Sequence, residues 1–82
     1  MAEKKVGEVF SYYSKIGVAA VKLTGTLSVG DKIRIKGNVT NFEQTVDSMQ
    51  IEKESVQKAG SGQSVGIKVK DKVRTGDLVL KI

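Results

Sequence analysis

Eighty-two residues carry 14 Lys+Arg against 9 Asp+Glu, a net charge of +5, and include no histidine, cysteine or proline. A chain of this size forms one domain around one small core. Without Cys or His there are no disulfides, thiolate nucleophiles, Cys/His zinc sites, imidazole bases or Ser-His-Asp variants.

No apolar run approaches the roughly 20 residues of a membrane span, and Met1–Lys5 leads into no hydrophobic signal region. The expectation is one cytoplasmic domain over 1–82, with its core in 6–82 and residues 1–5 as a flexible lead-in. Charge is uneven: residues 1–40 carry seven basic and three acidic groups, 41–60 two and four, and 61–82 five and two. If the basic ends meet, they form a face that attracts polyanions.

Nine dispersed glycines punctuate apolar runs of strand length, and no window repeats apolar positions with helical period. Val6–Tyr12 reads as a first strand and Val18–Leu23 as a second, with Val21 and Leu23 inward. The connector 25–31 tucks Leu27 and Val29 under the barrel end, and Gly30-Asp31 supplies turn chemistry. Lys32-Ile33-Arg34-Ile35-Lys36 alternates strictly, placing two isoleucines on one face and three cations on the other.

Phe42–Glu52 changes phase, which predicts a β-bulge near Asp47-Ser48. Glu52–Ala59 is the weak helical candidate, one turn at most. Val65–Lys70 alternates again, with Val65, Ile67 and Val69 inward and Lys68 and Lys70 outward. A turn-rich stretch, 71–77, leads to a final strand at 78–82. Gly30-Asp31 and Gly76-Asp77 each precede a strand and predict two similar corners. Six short strands at this spacing predict an all-β fold, a small closed six-stranded antiparallel β-barrel, because closure removes aggregation-prone edges.

Three blocks carry a resemblance. Gly7-x-Val9, Ile16-Gly17-Val18-Ala19-Ala20-Val21-x-Leu23 and Gly25-x-Leu27-x-x-Gly30-Asp31-x-Ile33-x-Ile35-x-Gly37 form the first. Val46–Gln50 is the second. Ala59-Gly60-x-Gly62-x-x-Val65-Gly66-Ile67-x-Val69 with Val73-Arg74-x-Gly76-Asp77-Leu78-Val79 is the third. Together, over about 6–80, they resemble the β-barrel second domain of translational GTPases, of the elongation factor Tu and initiation factor two type. A similar barrel closes peptidase-like proteins of the U32, collagenase-like class. The chain has no Gly-Lys-Ser or Gly-Lys-Thr phosphate loop, so the resemblance is to a free-standing domain two, with no GTP binding expected.

Other chemistry fails on its context. Gly60–Gly66 is glycine-rich but precedes a strand, leaving no helix N-terminus to receive phosphate. Asp47, Glu52 and Glu54 read as solvated charges rather than an acid/base pair or a magnesium site. Ser14-Lys15 lies in a loop unsuited to burying an activated lysine. Of the adjacent Tyr12 and Tyr13, one packs inward and the other reaches the rim.

These readings predict no enzyme, no cofactor and no metal. The first function expected from the resemblance is a translation-factor-like module binding structured RNA (transfer RNA or ribosomal RNA) or the ribosome. It would use Lys32, Arg34, Lys36, Lys68, Lys70, Lys72 and Arg74 on phosphates. The second is a protein-interaction accessory barrel, related to the C-terminal barrel of U32 peptidase-like proteins. That barrel would use an apolar rim patch and the acidic 41–60 segment.

Overall fold

A computed structural model describes residues 4–52 and 54–82. Its strands are β1 (Lys4–Tyr13), β2 (Val18–Leu23), β3 (Leu27–Ser28), β4 (Lys32–Lys36) and β5 (Asn41–Thr45), followed by β6 (Met49–Ile51), β7 (Glu54–Val56), β8 (Lys58–Ala59), β9 (Ser64–Lys68) and β10 (Leu78–Lys81). Eight form one curled antiparallel sheet in the order β5-β4-β10-β1-β2-β9-β6-β7, and β3 pairs with β8 in a second short ladder.

The all-β class is as expected, but closure is not. The sheet is open, a half-barrel whose hydrogen-bonded order ends at β5 and β7. The expected bulged strand over 42–52 is two strands, β5 and β6, with 46–48 between them outside any ladder. That break performs the phase change, and both Val46 and Met49 reach the core. The helical candidate at 52–59 is replaced by β7 and β8. Of the expected lead-in, residues 1–3 lie outside the described residues, and Lys4 and Lys5 already belong to β1.

The core follows the alternation. Val21, Leu23, Ile33, Ile35, Val65, Ile67 and Val79 point inward and are buried, as is Leu27 beneath one end. Burying one such aliphatic side chain is worth about 1.5–3 kcal/mol. Two bulges interrupt β1. The register slips once between Lys5 and Gly7, opposite β10, and again between Val9 and Ser11, opposite β2. The second slip inserts Phe10 as an extra residue. Tyr12 is thereby turned inward opposite Ala19, and Tyr13 outward opposite Val18.

Three corners share one hydrogen-bond pattern. In Ser28–Asp31, the Asp31 N–H donates to Ser28 O (3.1 Å) and the Ser28 N–H donates to Asp31 Oδ2 (2.9 Å). In Arg74–Asp77 the same pair measures 3.0 and 2.8 Å. In Gly60–Gln63 a glutamine takes the aspartate's place, at 3.2 and 2.7 Å. The third residue is glycine in each, with φ of 97°, 96° and 88° for Gly30, Gly76 and Gly62. Positive φ at that position is the mark of a type II turn and favours glycine. The two expected Gly-Asp corners therefore exist, with a third built alike.

Candidate interaction surfaces

The seven cations singled out in the sequence are spread over the outer side of β4 and three recesses. Lys32, Arg34 and Lys36 do share the outer side of β4, as their alternation requires. The β4–β5 hairpin, however, sets Glu43 directly opposite Arg34. Glu43 pairs with Arg34 and lies 3.6 Å from Lys32. The Arg34 hydrogen bond, only partly opposed by desolvation, holds the Glu43 carboxyl below the usual carboxylate range, with the charges of Arg34 and Lys32 adding to it. Two of the seven cations thus share one carboxylate.

The remainder divide. Lys68 and Lys70 border a recess that also contains Asp47. Lys72 and Arg74 border a second, beside the turn after β4. Arg74 also meets Lys36 at a third and larger recess, about 970 Å3, floored by Leu78 and Leu80. Lys36, Lys72 and Arg74 gather around the turn 37–40. The place of Glu43 follows from the turn: the Gly37 N–H donates to Thr40 O at 2.7 Å, which leaves Asn38-Val39 as the loop, and that register brings 43 opposite 34.

A different surface is apolar. Phe10, Tyr13 and Ile16 are 48, 51 and 63% exposed, and with Val18 and Ala20 they line a shallow groove on the outer side of β1 and β2. Its floor continues onto β9, where a Cβ added to Gly66 would stand 3.2 Å from Val18 Cγ1. Gln50 and Glu52 of the acidic segment form its margin. The sequence foresaw an apolar rim and an acidic segment but not their meeting, because the β1 bulge that presents Phe10 leaves no mark in the alternation. Among the described residues no group of three or more His, Cys, Asp or Glu could hold a metal. No helix among them is long and apolar enough to cross a membrane.

The family model described as the Peptidase family U32 C-terminal domain matches residues 3–79. The chain belongs to this U32 C-terminal domain family. An uncharacterized protease of Methanocaldococcus jannaschii is 41% identical over 76 residues, which are 92% of this chain and 19% of that protein. A collagenase of Porphyromonas gingivalis is 40% identical over 74 residues, 88% of this chain and 20% of that protein. The chain thus spans about a fifth of the length of these relatives.

The U32 fold is also seen in a crystal structure of the C-terminal domain of a Geobacillus thermoleovorans protein named as a U32 peptidase. The TM-score is 0.90 at 24% identity, with 96% of this chain and 92% of that chain covered. At that identity the likeness speaks for the fold alone.

Membership in the U32 family corrects the translation reading. The resemblance to elongation factor Tu and initiation factor two is overturned by the family match, and with it the expectation of RNA, transfer RNA or ribosome binding. The physical reason lies in the corners. Leu27-x-x-Gly30-Asp31-x-Ile33 and Val73-Arg74-x-Gly76-Asp77-Leu78 are type II turns capped by their own aspartates and followed by inward aliphatic residues. Such blocks encode how a strand enters a curled sheet, and unrelated functions share that need. The second expected reading, an accessory domain of the U32 peptidase type, is the one the family supports.

Proposed function

We propose that this U32 C-terminal domain is a non-catalytic accessory module that docks onto the peptidase portion of a U32 protein through the Phe10–Tyr13–Ile16 surface. The observation that carries the reading is the family match over 3–79 combined with the fifth of the relatives' length that it represents. Proteins named protease and collagenase hold some four-fifths of their residues outside this module, so the groups that cleave peptides belong to that remainder. A composition without Cys or His agrees, since it leaves few nucleophile–base pairs to build. The apolar groove suits the center of a protein interface, with Gln50, Glu52 and Ser64 as a polar margin.

The purified chain is assayed on gelatin and casein, then mixed with the Methanocaldococcus jannaschii protease truncated before the matched segment. The chain alone hydrolyses neither substrate, and the mixture co-elutes in gel filtration. Phe10→Ser with Ile16→Ser breaks the complex while changing stability by no more than about 0.5 kcal/mol each, as expected of exposed positions. Hydrolysis by the chain alone overturns the reading, as does co-elution of the double variant as strong as the parent's.

A further inference from the structure

The last strand breaks the rule its neighbours keep. On β4 the outer positions are Lys32, Arg34 and Lys36, while on β10 Val79 points inward and the outer positions are Leu78 and Leu80. The registers place Leu78 between Lys36 and Glu8, and Leu80 between Arg34 and Lys5. Two half-buried leucines therefore stand in a row of charges on the outer side of the sheet. They floor the recess of about 970 Å3 whose rim carries Lys36 and Arg74.

The charges around this recess do not cancel. Arg34 is held by Glu43, and Glu8 faces Lys5 at 3.8 Å. Asp77 lies at the recess, but its side chain is turned inward: the residue is 5% exposed and its Oδ2 accepts the Arg74 N–H. A Cβ on Gly37 would stand 1.9 Å from Asp77 Oδ1, so the backbone of the turn covers that carboxylate. Lys36 and Arg74 have no ion-pair partner among the described residues. An incoming ligand meets two cations above an aliphatic floor, with Val39 (71% exposed) as one wall.

We propose that the Leu78–Leu80 face, rimmed by Lys36 and Arg74, is a docking site for an acidic peptide segment carrying aliphatic side chains. Carboxylates satisfy the two cations, and leucine- or valine-like side chains cover the floor. Opposite charge at the rim steers and registers such a segment, while the apolar center supplies the burial. This site is built on β4 and β10 and shares no lining residue with the Phe10 groove on the neighbouring β1 and β2, so it stands whether or not that groove docks a peptidase. A domain with both would join a peptidase portion to a second polypeptide.

The test titrates the isotope-labelled 82-residue chain with a fluorescent octapeptide alternating glutamate and leucine. Two reference peptides replace every leucine by serine or every glutamate by lysine. Binding of the first peptide shifts the amides of Lys36, Gly37, Val39, Arg74 and Leu78–Leu80 and weakens as salt is raised. The double variant Lys36→Glu with Arg74→Glu binds about tenfold more weakly, the effect of losing two exposed pairs and gaining repulsion. Lys22→Glu, on β2, leaves binding unchanged, and retained amide dispersion verifies that the variants fold. Leu80→Ser, which keeps both cations, also weakens binding.

Equal binding of the serine peptide overturns the proposal, since simple charge attraction would then suffice. Shifts confined to the Phe10 groove, or displacement of the peptide by a short single-stranded RNA at lower concentration, overturn it as well. So does the absence of binding, which would mean that the stems of Lys36 and Arg34 alone cover the leucines.

Discussion

Lys70 donates its backbone N–H to the side-chain carbonyl of Gln44 at 2.9 Å, across 26 residues of sequence. The same amide donates through Nε2 to Lys68 O at 2.8 Å. Gln44 lies on β5, an end of the hydrogen-bonded strand order, and residues 68–70 continue from β9. One side chain thus bridges a gap that no backbone ladder spans.

Gln44→Ala removes both bonds and leaves solvent-accessible backbone groups behind. At about 0.5–1.5 kcal/mol net for each bond, unfolding in urea should show a loss of about 1–2 kcal/mol with the slope unchanged. Exchange of the Lys70 amide should quicken in step. Gln44→Glu keeps an acceptor for Lys70 but no donor for Lys68, and should fall between the two. Equal stability of parent and alanine variant would show that the bridge is idle.

Gly37 and Asp77 are coupled by contact. A Cβ at Gly37 would meet Asp77 Oδ1 at 1.9 Å and Cγ at 2.7 Å. The carboxylate cannot simply swing away, because it is buried and holds the Arg74 N–H. Gly37→Ala should therefore destabilise by about 1–3 kcal/mol, the range for overpacking. Introduced into an Asp77→Ala background, the same change should cost clearly less, since its obstacle is gone. Additive losses in that double-mutant cycle, followed by thermal unfolding, would refute the coupling.

What the sequence makes legible is whatever period two and turn chemistry encode locally. Lys32–Lys36 and Val65–Lys70 announce their inward and outward residues, and the Gly-Asp pairs announce corners. The ten strands of the described residues are not all legible, because β7 and β8 are three and two residues long, too short to show a period. Nor is the β1 bulge, since Phe10 reads as one more alternating residue until its partner strand is known. The pairing of the β4 cations was hidden for a related reason. Glu43 was grouped with the acidic 41–60 segment, whereas the hairpin register delivers it to Arg34. Charge counted along the chain does not survive folding across it.

Asp31 serves two partners: its Oδ2 accepts the Ser28 N–H at 2.9 Å and lies 3.2 Å from Lys81 Nζ. The two roles separate by substitution. Asp31→Asn keeps an acceptor for the turn and loses the charge, and an exposed pair of this kind is worth about 0–1 kcal/mol. Asp31→Ala loses the turn bond as well, adding about 1 kcal/mol. Chemical unfolding of both variants should rank them parent, asparagine, alanine, with the larger step between the last two. A larger first step would assign the corner's strength to Lys81 instead.

Glu43 should contribute to the pH response on the acid side. Its carboxyl is held below the usual range chiefly by the Arg34 hydrogen bond. A group whose pKa is lower in the folded state than in the unfolded chain contributes stability that is fully present above the unfolded value. That contribution is lost as pH falls through the folded value. Unfolding midpoints should therefore be flat near neutrality and decline once pH drops below the ordinary glutamate range. Glu43→Gln removes the charge at every pH, so it should lower the neutral plateau and flatten the acid decline. Raised salt should shrink the difference between parent and Glu43→Gln, because the pair is partly open to solvent. An acid limb of unchanged steepness in Glu43→Gln would show that the Arg34–Glu43 pair does not persist in solution, and the two cations of β4 would then be available to ligands after all.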